Sequence, residues 1–208
     1  SRAAVQLPGY VDRIRDGGRD VPLVLLPLLN DLRAARGRPL LSESTLLLLN
    51  IAPGAMSEPV APPREPSGED ATVLAKHMRP RFQLALLGWI RGDAGGDALR
   101  RLQDVAGRLE SASASDVGHQ LWWVVGGVLE ALADGGLEAG VSVKRLIGQA
   151  DREMKRLFSI GEQKFAAQPP TELVNNLLYY VARATSTGPR VTAIREAFSL
   201  SGLIPGDE

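Results

Sequence analysis

Cysteine is absent from the 208 residues, which excludes disulfides, iron–sulfur clusters, thiolate zinc sites and a cysteine nucleophile together. Histidine is nearly as scarce. Only His77 and His119 are available for ligation or general-base work. Neither sign of charge is in excess, since 24 Lys+Arg stand against 24 Asp+Glu. A zero formal net charge argues against general nucleic-acid binding, which needs a basic excess to neutralise phosphates. No apolar run reaches the ~18–20 residues of a membrane span, and Leu23 to Leu29 and Leu46 to Leu49 are both too short. A secretory signal pattern is also lacking, and the expected location is the cytoplasm. Beginning at Ser1 without an initiator Met, the chain reads as a segment of a longer protein.

What is present is ordinary globular material, 44% apolar and 23% charged. A chain of this length buries roughly 70% of its extended surface and needs no staple. The sharpest compositional break is Ala52 to Gly68, APGAMSEPVAPPREPSG, which holds five of the 14 prolines. Proline removes N–H donors and fixes φ, so this stretch is a linker or long surface loop. It separates an N-terminal helical segment, residues 1–51, from a helical bundle, residues 69–208, and the two are expected to pack as one domain.

Apolar spacing predicts helix almost throughout. Val21, Leu25, Leu28, Leu32 and Ala35 recur every three or four residues, one face of a helix. Pro27 kinks or delays its start, Gly37 and Pro39 stop it, and a shorter helical stretch from Leu7 to Asp16 precedes it. Beyond the break, Leu74, Met78, Phe82, Ala85 and Trp89 mark a helix ending near Gly92, with a kink expected at Pro80. Leu99, Leu102, Ala106 and Leu109 mark the next. Ser115 or Asp116 caps a third with the stripe Val117, Leu121, Val124, Val128 and Leu132, ended by Asp134-Gly135-Gly136. Ser142 is expected to cap a fourth, Pro169-Pro170-Thr171 opens a fifth, and a last short helix runs from about Arg190 to Phe198. Short connections predict that consecutive helices are antiparallel neighbours. The fold class is all-α, a multi-helix bundle.

Chemistry is harder to find. GDAGGD at Gly92 to Asp97 lacks the Lys-Ser/Thr of a phosphate loop and follows no strand. No G-x-S-x-G elbow or H-E-x-x-H helix occurs. Glu130, Asp151 and Glu153 read as scattered residues of a solvated face. Gly126-Gly127, inside an apolar helix, points to close helix approach or, as the weaker reading, to a ligand against the backbone. Trp122 and Trp123 lie about 100° apart on a helix, so one is expected inside and the other over a seam or partner. Core use is the simpler reading of the pair and an interface anchor the other. Tyr179-Tyr180 poses the same question. The Arg-rich N-terminal surface, including Arg33 and Arg36, is either solvated or a docking patch for an acidic partner. No cofactor or metal site emerges.

Three strings carry a resemblance: Leu7 to Ser44, with the core VPLVLLPLLNDLRAARG, Glu172 to Leu200, and more loosely Leu121 to Leu157. They resemble the N-terminal region of chemotaxis-type hybrid histidine kinases that control type IV pili, the ChpA/PilL kind, and the related FimL family of pilus scaffold proteins. The resemblance implies a bundle related to histidine-phosphotransfer domains in a two-component signalling protein. It also implies two protein partners, a stand-alone response regulator of the pilus system and a hub protein that recruits the chain to the cell pole. A working phosphotransfer helix carries roughly H-x-x-K-G followed by small residues. His77 is followed by Met-Arg-Pro, and His119 by Gln-Leu-Trp-Trp, so neither matches. The expected function is therefore a non-catalytic interaction module. A cryptic phosphotransfer domain and a small-molecule sensor with a pocket near Trp122, Trp123 and Gly126 are the alternatives.

Pro, Ser, Gly and Glu in Ala52 to Gly68 bury too little apolar surface to order the chain there. Brief protease treatment is expected to cut this stretch first, read by mass spectrometry of the fragments. First cleavage within residues 69–200 would contradict it.

Overall fold

In a computed structural model of the chain, the described residues are 67–92 and 96–200, with Asp31, Ala34, Ala35 and Glu65. Arg33, Arg36 and most of the Pro-rich stretch lie outside them, as does the helix expected from Leu7 to Asp16. Asp31, Ala34 and Ala35 are helical, within the segment whose spacing predicts helix. The remaining order is α1 (Ala71–Arg91), α2 (Asp97–Ala112), α3 (Asp116–Ala133), α4 (Val141–Ile160), α5 (Glu162–Ala167), α6 (Thr171–Arg183) and α7 (Pro189–Ala197). No strand occurs among the described residues.

Local chemistry explains most of the ends. Asp70 caps α1, its carboxylate accepting from Thr72 N at 2.8 Å, Val73 N at 3.1 Å and the Thr72 hydroxyl. These donors, the hydroxyl foremost, hold the Asp70 carboxyl below the usual carboxylate range. Gly92, at φ 76°, closes the helix in the left-handed region that glycine adopts without strain. Pro80 does not end α1, which continues to Arg91. The ring and the Lys76 carbonyl it deprives of a donor belong to exposed residues, where water can bond that carbonyl. Ser115 caps α3 as expected, its hydroxyl accepting from Gly118 N at 3.1 Å.

Three expectations change. Ser142 is not a cap: α4 starts at Val141 after an extended Gly140, with no side-chain cap bond. Gly161, at φ 82°, breaks α4 and begins the unexpected short helix α5, whose Phe165 is fully buried. The third concerns neighbours. α1 packs on α2 and α2 on α3, but α4 lies chiefly against α1, with α6 bridging α3 and α4. The reason is that α2, α6 and α7 already cover α3.

That cover is unusually complete. Thirteen of the 18 residues of α3 are buried, which no single stripe achieves. Both indoles are therefore core residues, Trp122 at 0% and Trp123 at 4% exposure. The expectation that one of them covers a seam or meets a partner gives way to the core reading for both. Gly126 and Gly127 make this enclosure possible. A Cβ on Gly126 would sit 3.1 Å from Arg190 Cδ, and one on Gly127 only 2.3 Å from Ile194 Cδ1. Each glycine costs about 1 kcal/mol of helix propensity relative to Ala, offset by seating α7 directly against the α3 backbone.

The tightest approach to another stretch of backbone lies at the turn after α3. A Cβ on Gly136 would fall 2.4 Å from the backbone nitrogen of Ser186, which has no flexible end to move. Gly136→Ala is expected to lower stability by about 1–3 kcal/mol, as overpacking does. Gly107→Ala and Gly148→Ala lie inside helices with nothing within 4 Å of the added carbon, so they should act oppositely. Each is expected to raise stability by up to about 1 kcal/mol. Urea midpoints of the three variants check the signs, and an unaffected Gly136→Ala would refute the close approach.

Candidate interaction surface

The two histidines come first. His119, 4% exposed, points its Nδ1 at the backbone carbonyl of Glu110, 2.9 Å away. A carbonyl only accepts, so that nitrogen carries the proton. The ring is committed to the joint between α2 and α3. His77 is exposed on α1, three residues before Pro80.

The carboxylates read from sequence as solvated are mostly structural ties. Asp151, 8% exposed, accepts from Arg79 Nε and Nη2, both at 3.0 Å, and from Gln83 Nε2 at 3.2 Å. This planar fork joins α4 to α1. Glu130 of α3 accepts from the Val191 backbone N–H at 2.8 Å, capping α7 from another helix. A Cβ at Gly188 would meet Glu130 Cδ at 2.5 Å, so a side chain there would displace this carboxylate. Arg190 pairs with Glu110, and Glu162 accepts from Ser115 N at 2.8 Å and Ser115 Oγ at 3.2 Å. Glu153 pairs with Arg156 at 2.7 Å. Periodicity could not signal the ties between elements, whose partners are distant in sequence; Glu153 and Arg156, three residues apart on one helix, are the pair that spacing does signal.

α7 is held further by Arg195, which donates from Nε to Val181 O at 3.1 Å and from Nη1 to Ser186 O at 2.9 Å. The α3 turn and the segment before α7 are stitched by Thr185 N to Gly136 O at 2.8 Å and by Ser186 to Asp134. No group of three or more His, Asp or Glu placed to hold a metal occurs among the described residues. None of the described helices is long and apolar enough to cross a membrane.

Of the six residues singled out from sequence, Trp122, Trp123 and Tyr179 are buried. The Tyr179 hydroxyl accepts from Arg183 Nη1 at 2.7 Å, and its ring meets Tyr180 edge-on at 5.2 Å between centroids. Tyr180 is half-buried and so reaches the surface. The structure brings the two tyrosines together. The pocket considered near Gly126 is occupied by Arg190 and Ile194 side chains.

These geometries coincide with a match to the family described as the FimL scaffold protein second domain, over residues 67–208. The chain belongs to that family. It is also 31% identical over 199 residues to the scaffold protein FimL of Pseudomonas aeruginosa PAO1. That similarity covers 94% of this chain and 34% of the relative, so the chain spans about a third of the FimL protein. No solved structure matches.

The Arg79–Asp151 fork is the most enclosed of these ion pairs. Arg79→Leu alone is expected to cost about 2–3 kcal/mol by leaving Asp151 buried and uncompensated. Arg79→Leu with Asp151→Leu should recover most of that loss, measured as a double-mutant cycle in urea. Simple additivity would show that the pair is not coupled.

Proposed function

We propose that this chain is a non-catalytic docking module of type IV pilus chemosensory signalling, acting as part of a scaffold. The observation that carries the reading is membership of the FimL second-domain family across residues 67–208. The side chains support it. The ionisable groups that are drawn in from solvent serve to tie helices together, as in Arg79–Asp151, Arg190–Glu110 and Glu130 at the start of α7. The partners we assign are the stand-alone response regulator of the pilus system and a hub protein that recruits the complex to the cell pole, both met in the cytoplasm. Tyr180, which reaches the surface, and Arg33 and Arg36, on sequence grounds alone, are the residues we assign to contacting them.

The phosphotransfer alternative has little to stand on. An acceptor imidazole must be exposed on a rigid helix beside a cation, with room for a receiver's acidic site. His119 is buried at a helix joint, with a ring nitrogen on Glu110 O. His77 is exposed, but Pro80 occupies the position where the motif places its cation. Incubation with the pilus kinase core and labelled ATP is expected to leave this chain unlabelled. His77→Gln is expected to leave co-purification with the response regulator unchanged. Base-stable, acid-labile label lost in His77→Gln would promote the phosphotransfer reading. Failure to retain either the regulator or the hub in pull-downs would remove the scaffold reading.

A further inference from the structure

Five large apolar residues are exposed among those described, and four of them gather at one end of a single helix pair. Leu84, Leu87 and Ile90 occupy the last two turns of α1, and Val141, 75% exposed, is the first residue of α4. Two contacts fix how these helices run. Arg79 meets Asp151, and Lys144 sits over the Trp89 ring at 6.0 Å, so α1 and α4 are antiparallel. On that register Val141 is level with Ile90, Gly148 with Gln83 and Lys155 with Lys76. Arg79 and Gln83 both donate to Asp151 and so mark the side of α1 that faces α4. At about 100° per residue, Ile90 lies on that same edge, Leu87 about 60° further out and Leu84 about 120°. An apolar strip thus starts at the seam with α4 and climbs over α1.

The free charge beside the strip is of one sign. α1 has no carboxylate, and the two on α4, Asp151 and Glu153, are paired with Arg79 and Arg156. Arg81 is likewise neutralised, by Asp104 of α2. Lys76 on α1 and Arg145, Arg152 and Lys155 on α4 are exposed and make no ion pair among the described residues. The three α4 cations fall within an arc of about 80°. Gly148 lies between them along the helix, with no atom within 4 Å of where a Cβ would stand. The seam is therefore apolar at one end, cationic at the other and open between.

We infer that the α1–α4 seam receives an acidic amphipathic helix of a partner protein. Its apolar side chains lie on Leu84, Leu87, Ile90 and Val141, and its carboxylates lie along Lys76, Arg152 and Lys155. Lys76 and Ile90 are fourteen residues apart on α1, about 21 Å, the length of a four-turn helix. Charge selects the occupant. A second copy would bring like charges together, because this face offers no free carboxylate to answer its cations. An anionic membrane would suit the cations, but interfacial binding is anchored by exposed Trp or Phe, and the exposed large apolar residues here are all aliphatic. The inference rests on the reading of the chain as a docking module, and it adds a surface built by other helices than the one bearing Tyr180.

Fluorescence anisotropy on the full 208-residue chain tests it. The probe is a labelled four-turn peptide of Leu, Ala and Glu, with Leu spaced three and four apart and Glu on the remaining face. Saturable binding is expected at low salt with a Kd of about 10–100 µM. Leu87→Asp should weaken it about tenfold, and Arg152→Glu with Lys155→Glu should do the same. Lys164→Glu, exposed on α5, removes a cation elsewhere and should change nothing. A peptide with Lys in place of Glu should not bind. The substituted residues are all exposed, and unchanged far-UV circular dichroism checks that the variants fold. Absence of saturable binding, or equal binding by all the variants, would overturn the inference. So would binding to phosphatidylglycerol vesicles without binding to the peptide, which would assign the face to a lipid surface. Dimerisation lost in Leu87→Asp would assign it to a second copy and overturn the inference as well. Pull-down of the regulator or the hub by a chain that ignores the peptide would sink the seam and leave the docking module standing. Loss of both would remove both.

Discussion

Enclosing one helix from all sides is the constraint on which this fold depends. A helix on a protein surface buries a stripe and solvates the rest, but α3 has almost no solvated side to offer. Its sequence is correspondingly apolar around the whole circumference between Leu121 and Leu129, broken only by Gly126 and Gly127. Those glycines remove side chains where α7 must come closest, so the last described helix can lie on the α3 backbone instead of on a layer of side chains. α2, α6 and α7 take their places around α3, and α4 is left to pair with α1. The departure from simple chain-order packing follows from that crowding.

The polar chemistry is the complement of the same design. A small helix such as α7, nine residues long, gains little from intrinsic propensity and ends in unsatisfied backbone groups. Glu130 accepts from its first turn, Arg190 reaches Glu110, and Arg195 reaches back to the end of α6. Each tie satisfies a group that would otherwise be lost from water without a partner. The cost of this arrangement is visible at Trp122 Nε1 and Asn175 Oδ1, which are buried without a hydrogen-bond partner. Such groups cost about 1–3 kcal/mol each, and the extensive apolar core around them outweighs it.

Where a residue acts on its immediate chain neighbours, its role was legible in the sequence. Ser115 before a helical stripe, and Gly92 and Gly135 after one, all act within four residues. Helix existence and the all-α class followed from the same short-range periodicity. Roles that depend on a distant partner were not legible. Asp151 looks like any surface carboxylate until Arg79 is found across the helix pair, 72 residues earlier. The tryptophans were read against a one-sided helix, and nothing in their spacing reveals that neighbours would arrive on the remaining sides. α5 was missed because six residues are too few to establish a period. As for the surface assigned from sequence, Tyr180 is the member that the described fold brings toward solvent.

The 61-residue separation between Glu130 and Val191 has a consequence for synthesis. Translation runs from the N-terminus, so α3 emerges with its glycine-lined face complete while its cover has yet to be made. At about 5–20 residues per second, roughly 3–12 seconds pass before the segment that seats on Gly127 and Glu130 has been added. Throughout that interval the most apolar helix of the bundle displays an open seam. The nascent chain is thus most vulnerable to wrong association just before its final described helix is translated.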